Sequence, residues 1–202
     1  MSRGGKKIQR TSYHHGDLRQ ALLDAAREII AEAGVEGLSM RELARRVGVS
    51  YGAPHHHFSE KDSLLAAIAT EAFAELRAQV LARIEASAAA AADPLARLEL
   101  AARAYLDFAT SERSRYRVMF LPVLRDRQRF VELHQTGGEA LAVLGEAFVA
   151  AGVPAGAAKL RAVACWSTLH GYAVLANDDF LDEASMGERA ALERTIIATA
   201  IS

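Results

Sequence analysis

Residues 38–61 read LSMRELARRVGVSYGAPHHHFSEK, and the fold of the N-terminal part follows from them. Ser39 stands three residues before Glu42. Its hydroxyl can accept the Glu42 amide proton while the Glu42 carboxylate returns to the Ser39 amide, a capping box that starts a helix at Met40. Leu38 and Leu43 flank the cap as a hydrophobic staple, and Met40, Leu43, Ala44 and Val47 form a one-sided apolar stripe. Gly48 then permits a sharp turn. Val49 can plug the corner, and Ser50 is placed to cap a second short helix, Tyr51 to His57. Two short helices about a glycine turn make the helix-turn-helix layout.

Upstream, HGDLRQALLDAAREIIAEAG over 15–34 repeats Leu18, Leu22, Ala25, Ile29 and Ala33 at three- and four-residue steps, which predicts one amphipathic helix, with Gly34 as its stop. Downstream, a helix is expected after Ser59, with Leu65, Ile68, Ala72, Leu76, Val80 and Ile84 along one long face. The alanine run 88–92 favours helix, and Asp93-Pro94 closes it while supplying a cap and a first-turn proline for the next. Further helices are expected at about 94–110, 112–120, 126–151, 155–176 and 187–201, broken at Pro122, Gly152-Val-Pro154 and Asn177-Asp-Asp179, with a kink or split at Gly137-Gly138. No segment combines β-branched enrichment with period-two alternation, so the expected fold class is all-α. It comprises a basic arm (1–14), a three-helix head (15–62) and a larger helical body (63–202).

A chain of 202 residues, 51% hydrophobic, can bury a sizeable core. Its single cysteine, Cys165, excludes an internal disulfide and has no cysteine partner for structural zinc. No apolar run reaches the roughly 18 residues that span a bilayer, and MSRGGKKIQR has no signal-peptide core, so no membrane association and a cytoplasmic location are expected. The net charge of −1 hides an asymmetry. Residues 1–61 carry ten Lys and Arg against seven Asp and Glu, leaving fourteen against eighteen for the rest. A basic end on an acidic body suits a polyanion at one surface and a different partner at another. No nucleophile elbow, phosphate loop, H-E-x-x-H or cysteine-nucleophile motif is present, which argues against an enzyme.

A helix laid in the major groove needs short or polar side chains at its N-terminal end and donors beside it for phosphates. Tyr51, Gly52 and Ala53 suit base edges, while His55, His57 and Lys61 suit backbone oxygens. LSMRELARRVGVSYGAPHHHFSEKDSLL resembles the signature of the TetR family of repressors, and the resemblance spans roughly residues 15–65. It implies that Tyr51–His57 contains the recognition helix and puts His55, His57 and Lys61 at motif positions; with Ser39, Arg41, Ser50, Tyr51, Gly52 and Ala53 these are the residues expected to face DNA. It also implies a homodimer joined through the last two long helices, reading a palindromic double-stranded operator and released or recruited by a small-molecule effector. Two residues depart from the family pattern: His55 replaces the commoner tyrosine, and Pro54 replaces leucine. Proline disfavours helical geometry at Ala53, so an irregular first turn is expected. Further on, Trp166-Ser-Thr-Leu-His170-Gly171 resembles the Trp-His-Gly core of one C-terminal subclass of these regulators, as does the YHHGDLRQALL opening.

The triplet His55–His57 does not suggest a metal site, because adjacent helical residues diverge by about 100°. Arg3, Lys6, Lys7 and Arg10 fit either a minor-groove arm or a solubilising tail. In the body, Tyr105, Tyr116, Phe120, Trp166 and His170 combine apolar bulk with polar tips and are the ligand-binding candidates, though each also suits an ordinary core. No cofactor is expected. The reading from the residues and the resemblance together is a ligand-responsive regulator. The alternative is a helical ligand- or partner-binding protein that has lost operator binding.

Overall fold

Every regular element among the described residues is helical, and the chain divides into two units, Met1–Lys61 and Asp62–Ser202. The structure, a computed structural model, describes residues 15–181 and 188–202, with side chains from Leu18 onward. The basic arm expected over residues 1–14 lies outside the described residues.

In the first unit, α1 (His15–Gly37) leaves helical geometry at Gly34, where φ 70° and ψ 179° fall in a region essentially reserved for glycine. The expected stop is therefore present, and a further turn follows it. Its buried face is wider than the three-four spacing suggested: Leu22, Leu23, Ala25, Ala26, Ile29 and Ile30 are buried, while Ala33 is exposed. This breadth is what a helix needs when it is covered from more than one side. Helix α2 (Met40–Val47) packs on α1. It ends at Gly48 in the left-handed region (φ 77°, ψ 31°), whose amide bonds to the Ala44 carbonyl.

The second unit opens with α3 (Lys61–Glu85), whose first residue closes the first unit. All six apolar positions read from its sequence are buried. After the short α4 (Ala88–Ala92), Asp93 accepts the Leu95 amide at 2.8 Å and Pro94 occupies the first turn of α5 (Pro94–Ser111). Helix α5 is the hub. It contacts α4, α6 (Arg113–Met119), α7 (Val131–Ala150), α8 (Ala155–Asn177) and α9 (Arg189–Ile201). Asp179 takes a positive φ of 56° just past α8, matching the expected break there.

Two boundaries differ from expectation for local reasons. Helix α7 starts at Val131 rather than near 126, because Asp126 Oδ1 accepts the amides of Gln128 (2.9 Å) and Arg129 (3.1 Å) and holds a turn instead. Gly137 and Gly138 do not split α7. The helix runs through them, and at Gly137 a side chain would stand 3.5 Å from the Phe73 ring.

Candidate nucleic-acid interface and internal cavity

Ser39 caps α2 as its sequence requires, its Oγ accepting the Glu42 amide at 3.1 Å. The reciprocal half of the capping box is absent. The Glu42 carboxylate forks instead onto Arg45, at 2.6 and 2.8 Å, because a charged bidentate pair outcompetes one neutral amide. Arg46 reaches back to Glu32 on α1 with two bonds of 2.7 and 2.8 Å. These guanidinium bonds hold both carboxyls below the usual range. Arg41, exposed on the same helix, forms no ion pair among the described residues.

The second short helix expected over Tyr51–His57 is not regular. Residues 51–53 form turns, followed by one 3₁₀ turn, Pro54–His56. The bonds are of the tight i to i+3 kind, from the Ala53 amide to Ser50 (2.9 Å), His55 to Gly52 (3.2 Å) and His56 to Ala53 (3.2 Å). Irregularity here was expected from Pro54, yet Ala53 itself stays helical at φ −60°, ψ −43°. The tightened bonding, not an extended Ala53, is what distorts the segment. Ser50 contributes its carbonyl to the turn, and the 3₁₀ helix has no side-chain cap. Pro54 and Phe58 are buried, and Arg19 stacks over the Phe58 ring at 5.3 Å. The buried pair anchors a ridge on which Tyr51, 63% exposed, Gly52 and His55 face outward.

The polar groups of His55 and Lys61 both have intramolecular partners. His55 Nδ1 lies 3.2 Å from the Ser59 carbonyl. It must therefore carry a proton as donor, which leaves Nε2 an acceptor unless the ring is charged. Lys61 Nζ donates to the Val35 carbonyl at 2.7 Å, tying the start of α3 to the turn that follows Gly34. Two of its three ammonium protons remain for other partners.

In the second unit the ligand candidates converge. Phe120 sits at the centre of an aromatic cluster, with ring centroids 4.4 Å from His170, 5.2 Å from Tyr116 and 6.0 Å from Trp166. Beside it opens a cavity of about 370 Å³, whose wall includes Tyr105, Phe120 and Trp166. Tyr116 and His170 are not on that wall but stand behind it. Tyr116 Oη lies 2.6 Å from His170 Nδ1 and 2.8 Å from Tyr105 Oη, and the Trp166 indole donates to Tyr105 Oη at 3.1 Å.

Proton accounting orders this network. His170 Nδ1 has one lone pair, and the shorter approach gives it to Tyr116, although Tyr105 Oη also lies 3.1 Å away. The relay then runs from the Trp166 N–H to Tyr105, from the Tyr105 hydroxyl to Tyr116, and from the Tyr116 hydroxyl to a neutral His170 protonated on Nε2. Burial favours the neutral form at every member. It pushes Tyr116 up to about 12, raises Tyr105 well above the ordinary phenol value and lowers His170.

The rest of the wall is not legible as a motif. Phe73 and Leu76 come from α3, Met119 from α6, Arg125 and Arg127 from the following turn, and His134, Gly137 and Leu141 from α7. His134 has its own internal bond, to the Leu124 carbonyl at 3.0 Å. Among these, the paired arginines in RDR at 125–127 were the one available signal, as charges beside an apolar segment.

A family model described as bacterial regulatory proteins, tetR family, matches residues 22–68, and one described as tetracyclin repressor-like, C-terminal domain, matches residues 98–199. The chain belongs to the TetR family. Members of the TetR family are transcriptional regulators and not enzymes. The transcriptional repressor AcnR of Corynebacterium diphtheriae is 47% identical over 64 residues, 32% of this chain and 33% of that one. BetI of Rhizobium meliloti, a transcriptional regulator, is 39% identical over 70 residues, 35% of this chain and 34% of that one. The chain thus spans about a third of the length of the curated relatives it matches. Among solved structures, a protein of unknown function from Rhodococcus sp. RHA1 is similar at 29% identity and TM-score 0.72, covering 96% of this chain and all of that one. The likeness to AibR, solved with isovaleryl coenzyme A and operator DNA, is one of fold, at 21% identity and TM-score 0.62 over 91% of this chain and 95% of that one. The first match runs from the first unit into the start of the second, and the second match lies within the second unit.

Proposed function

We propose that the protein is a ligand-responsive repressor that binds a palindromic operator as a homodimer in the cytoplasm, with residues 15–62 reading DNA and residues 63–202 binding the effector and the second copy. The observation that carries the reading is the ridge from Ser50 to His57, buried beneath at Pro54 and Phe58 and open at Tyr51, Gly52 and His55. Ser39, Arg41, Ser50, His57 and Lys61 complete the DNA-facing set. Tyr51 to Ala53 meet base edges, and His55 and Lys61 meet phosphates. For His55 this requires the charged ring, since its Nδ1 proton is already engaged.

Dimerisation is supported by exposed stripes on the last two long helices. Leu160, Val163, Val174 and Leu175 are exposed along α8. Helix α9, packed beside it, exposes Ala191, Thr195, Ala198 and Thr199. Small and apolar residues in these rows allow two copies to form a four-helix interface, and a two-fold pair of heads suits half-sites about 34 Å apart. The effector occupies the cavity walled by Tyr105, Phe120 and Trp166, with Tyr116 and His170 fixing Tyr105 from behind. The sequence at Trp166, His170 and Gly171 supports assigning the body to the Trp-His-Gly subclass. An effector that binds one arrangement of the dimer better than the other shifts operator affinity by that difference.

Titration of the protein onto labelled DNA from upstream of its own gene tests the reading. A salt-sensitive complex with a specific site is expected, and no complex at low salt, with or without candidate ligands, overturns it. Two substitutions divide the contacts. Lys61→Ala should weaken binding to every sequence and reduce the salt slope by about one. It should also cost about 0.5–1.5 kcal/mol of stability through the lost Val35 bond. An unchanged slope removes Lys61 from the interface and leaves it a purely structural residue. Tyr51→Ala should change the preference among operator variants with little effect on random DNA, and equal losses on both would exclude base reading.

A further inference from the structure

The cavity of the second unit has an uneven distribution of polar groups. Among the described residues of its wall only Arg125, Arg127 and Gly138 are exposed, so these mark the mouth, while Leu76, Tyr105 and Leu144 are buried and mark the interior. Among the described residues no Asp or Glu lines it. The donors of the interior are already engaged, with the Trp166 N–H on Tyr105, the Tyr105 hydroxyl on Tyr116 and His134 on the Leu124 carbonyl. A polar ligand group pushed inside would lose its water and find no free donor. At the mouth the opposite holds. Neither Arg125 nor Arg127 forms an ion pair among the described residues. Asp126 between them accepts the Gln128 and Arg129 amides. The loop that carries both arginines is fastened at its far end, where Arg129 Nη2 meets Asp62 Oδ2 at 3.0 Å. Two guanidiniums with no ion pair among the described residues, at the rim of an apolar hole, favour a ligand with a charge of the opposite sign at one end only.

We propose that the cavity takes a small aliphatic anion, its hydrocarbon body among Phe73, Phe120 and Trp166 and its carboxylate or phosphate head on Arg125 and Arg127. This rests on the effector reading above and narrows it to a chemical class. At about 370 Å³ the space is at the small end of ligand pockets, roughly 300–1,000 Å³, which selects a short chain over a bulky polycycle.

Trp166 is the chain's only tryptophan and lies on the cavity wall, so its fluorescence reports occupancy without DNA. The probes are octanoate, octyl phosphate and 1-octanol. At least one anion should perturb Trp166 saturably at a concentration about tenfold or more below that of the alcohol, and the better anion identifies the head group. In the doubly substituted Arg125→Gln, Arg127→Gln protein the anion should weaken to the level of the alcohol, while the alcohol itself is unchanged. Equal binding of anion and alcohol to the unsubstituted protein, no response to any probe, or a preference that survives both substitutions overturns the proposal. The comparison in the unsubstituted protein stands even if the double variant folds poorly. Saturable anion binding that leaves a specific operator complex intact would uphold this inference and count against the effector reading alone.

Discussion

Leu43→Ala is expected to lower the unfolding free energy of the N-terminal unit by about 2–5 kcal/mol and to abolish the proposed operator binding, while the cavity of the second unit stays folded. Leu43 has no exposed surface. It lies on α2, an eight-residue helix held to α1 by this stripe and by the Arg46–Glu32 pair. A helix of that length has little stability of its own, so its geometry depends on the packing that Leu43 supplies. The unit is only 61 residues long, and small domains keep a thin margin because they bury a smaller fraction of their surface. A loss of this size therefore consumes much of what holds the ridge at Tyr51 in place. Urea unfolding followed by two probes checks the expectation. Helix content by circular dichroism should show an early partial transition, whereas Trp166 fluorescence, which reads the second unit, should keep the midpoint of the unsubstituted protein. Coincident shifts of both signals would show that the two units unfold as one and would defeat the prediction.

The same stretch shows what a sequence carries openly. Ser39, Gly48, Asp93 and Pro94 were legible because a cap or a left-handed turn is decided by a residue and its near neighbours. The long face of α3 was legible because its spacing repeats over many turns. What failed to show were choices between local and distant partners. Glu42 could close the capping box or pair with Arg45, and Lys61 could reach outward or cap the Val35 carbonyl. Only the folded chain places those competitors side by side. The cavity is the extreme case. Tyr105, Phe120 and Trp166 were found by their chemistry, but Phe73, Arg125 and Gly137 are gathered from separate elements with no spacing rule to join them. Gly137-Gly138 misled for a related reason: glycine weakens a helix, yet here one sits against the Phe73 ring in a helix that packing keeps intact.

Alkaline pH should destabilise the second unit through the buried phenols, and Tyr116→Phe should flatten that dependence. In the folded chain burial holds Tyr116 up to about 12, against an ordinary value near 10 in the unfolded chain, and Tyr105 moves in the same direction. Between those values the unfolded state releases protons that the folded state keeps. The stabilisation is therefore complete below pH 10 and is lost as pH rises toward 12, reaching about 2–3 kcal/mol for Tyr116 alone. For a unit of this size that is a fall in Tm of roughly 4–12 °C across the window. Tyr172, raised by burial and by the Glu193 carboxylate its hydroxyl faces, adds an effect of the same sign. Tyr116→Phe leaves His170 Nδ1 without its nearest donor and should cost about 1–3 kcal/mol at neutral pH. Its decline above pH 10 should nevertheless be the shallower of the two, because one late-titrating phenol is gone. His170 supplies the acid-side counterpart. Burial lowers it below its ordinary value near 6.5, so the unfolded state binds the proton first and stability falls as pH drops below 6.5. Tm measured from pH 5 to 12 for both proteins separates these effects. If the alkaline limb of Tyr116→Phe runs parallel to that of the unsubstituted chain, burial is not holding the Tyr116 phenol neutral above pH 10.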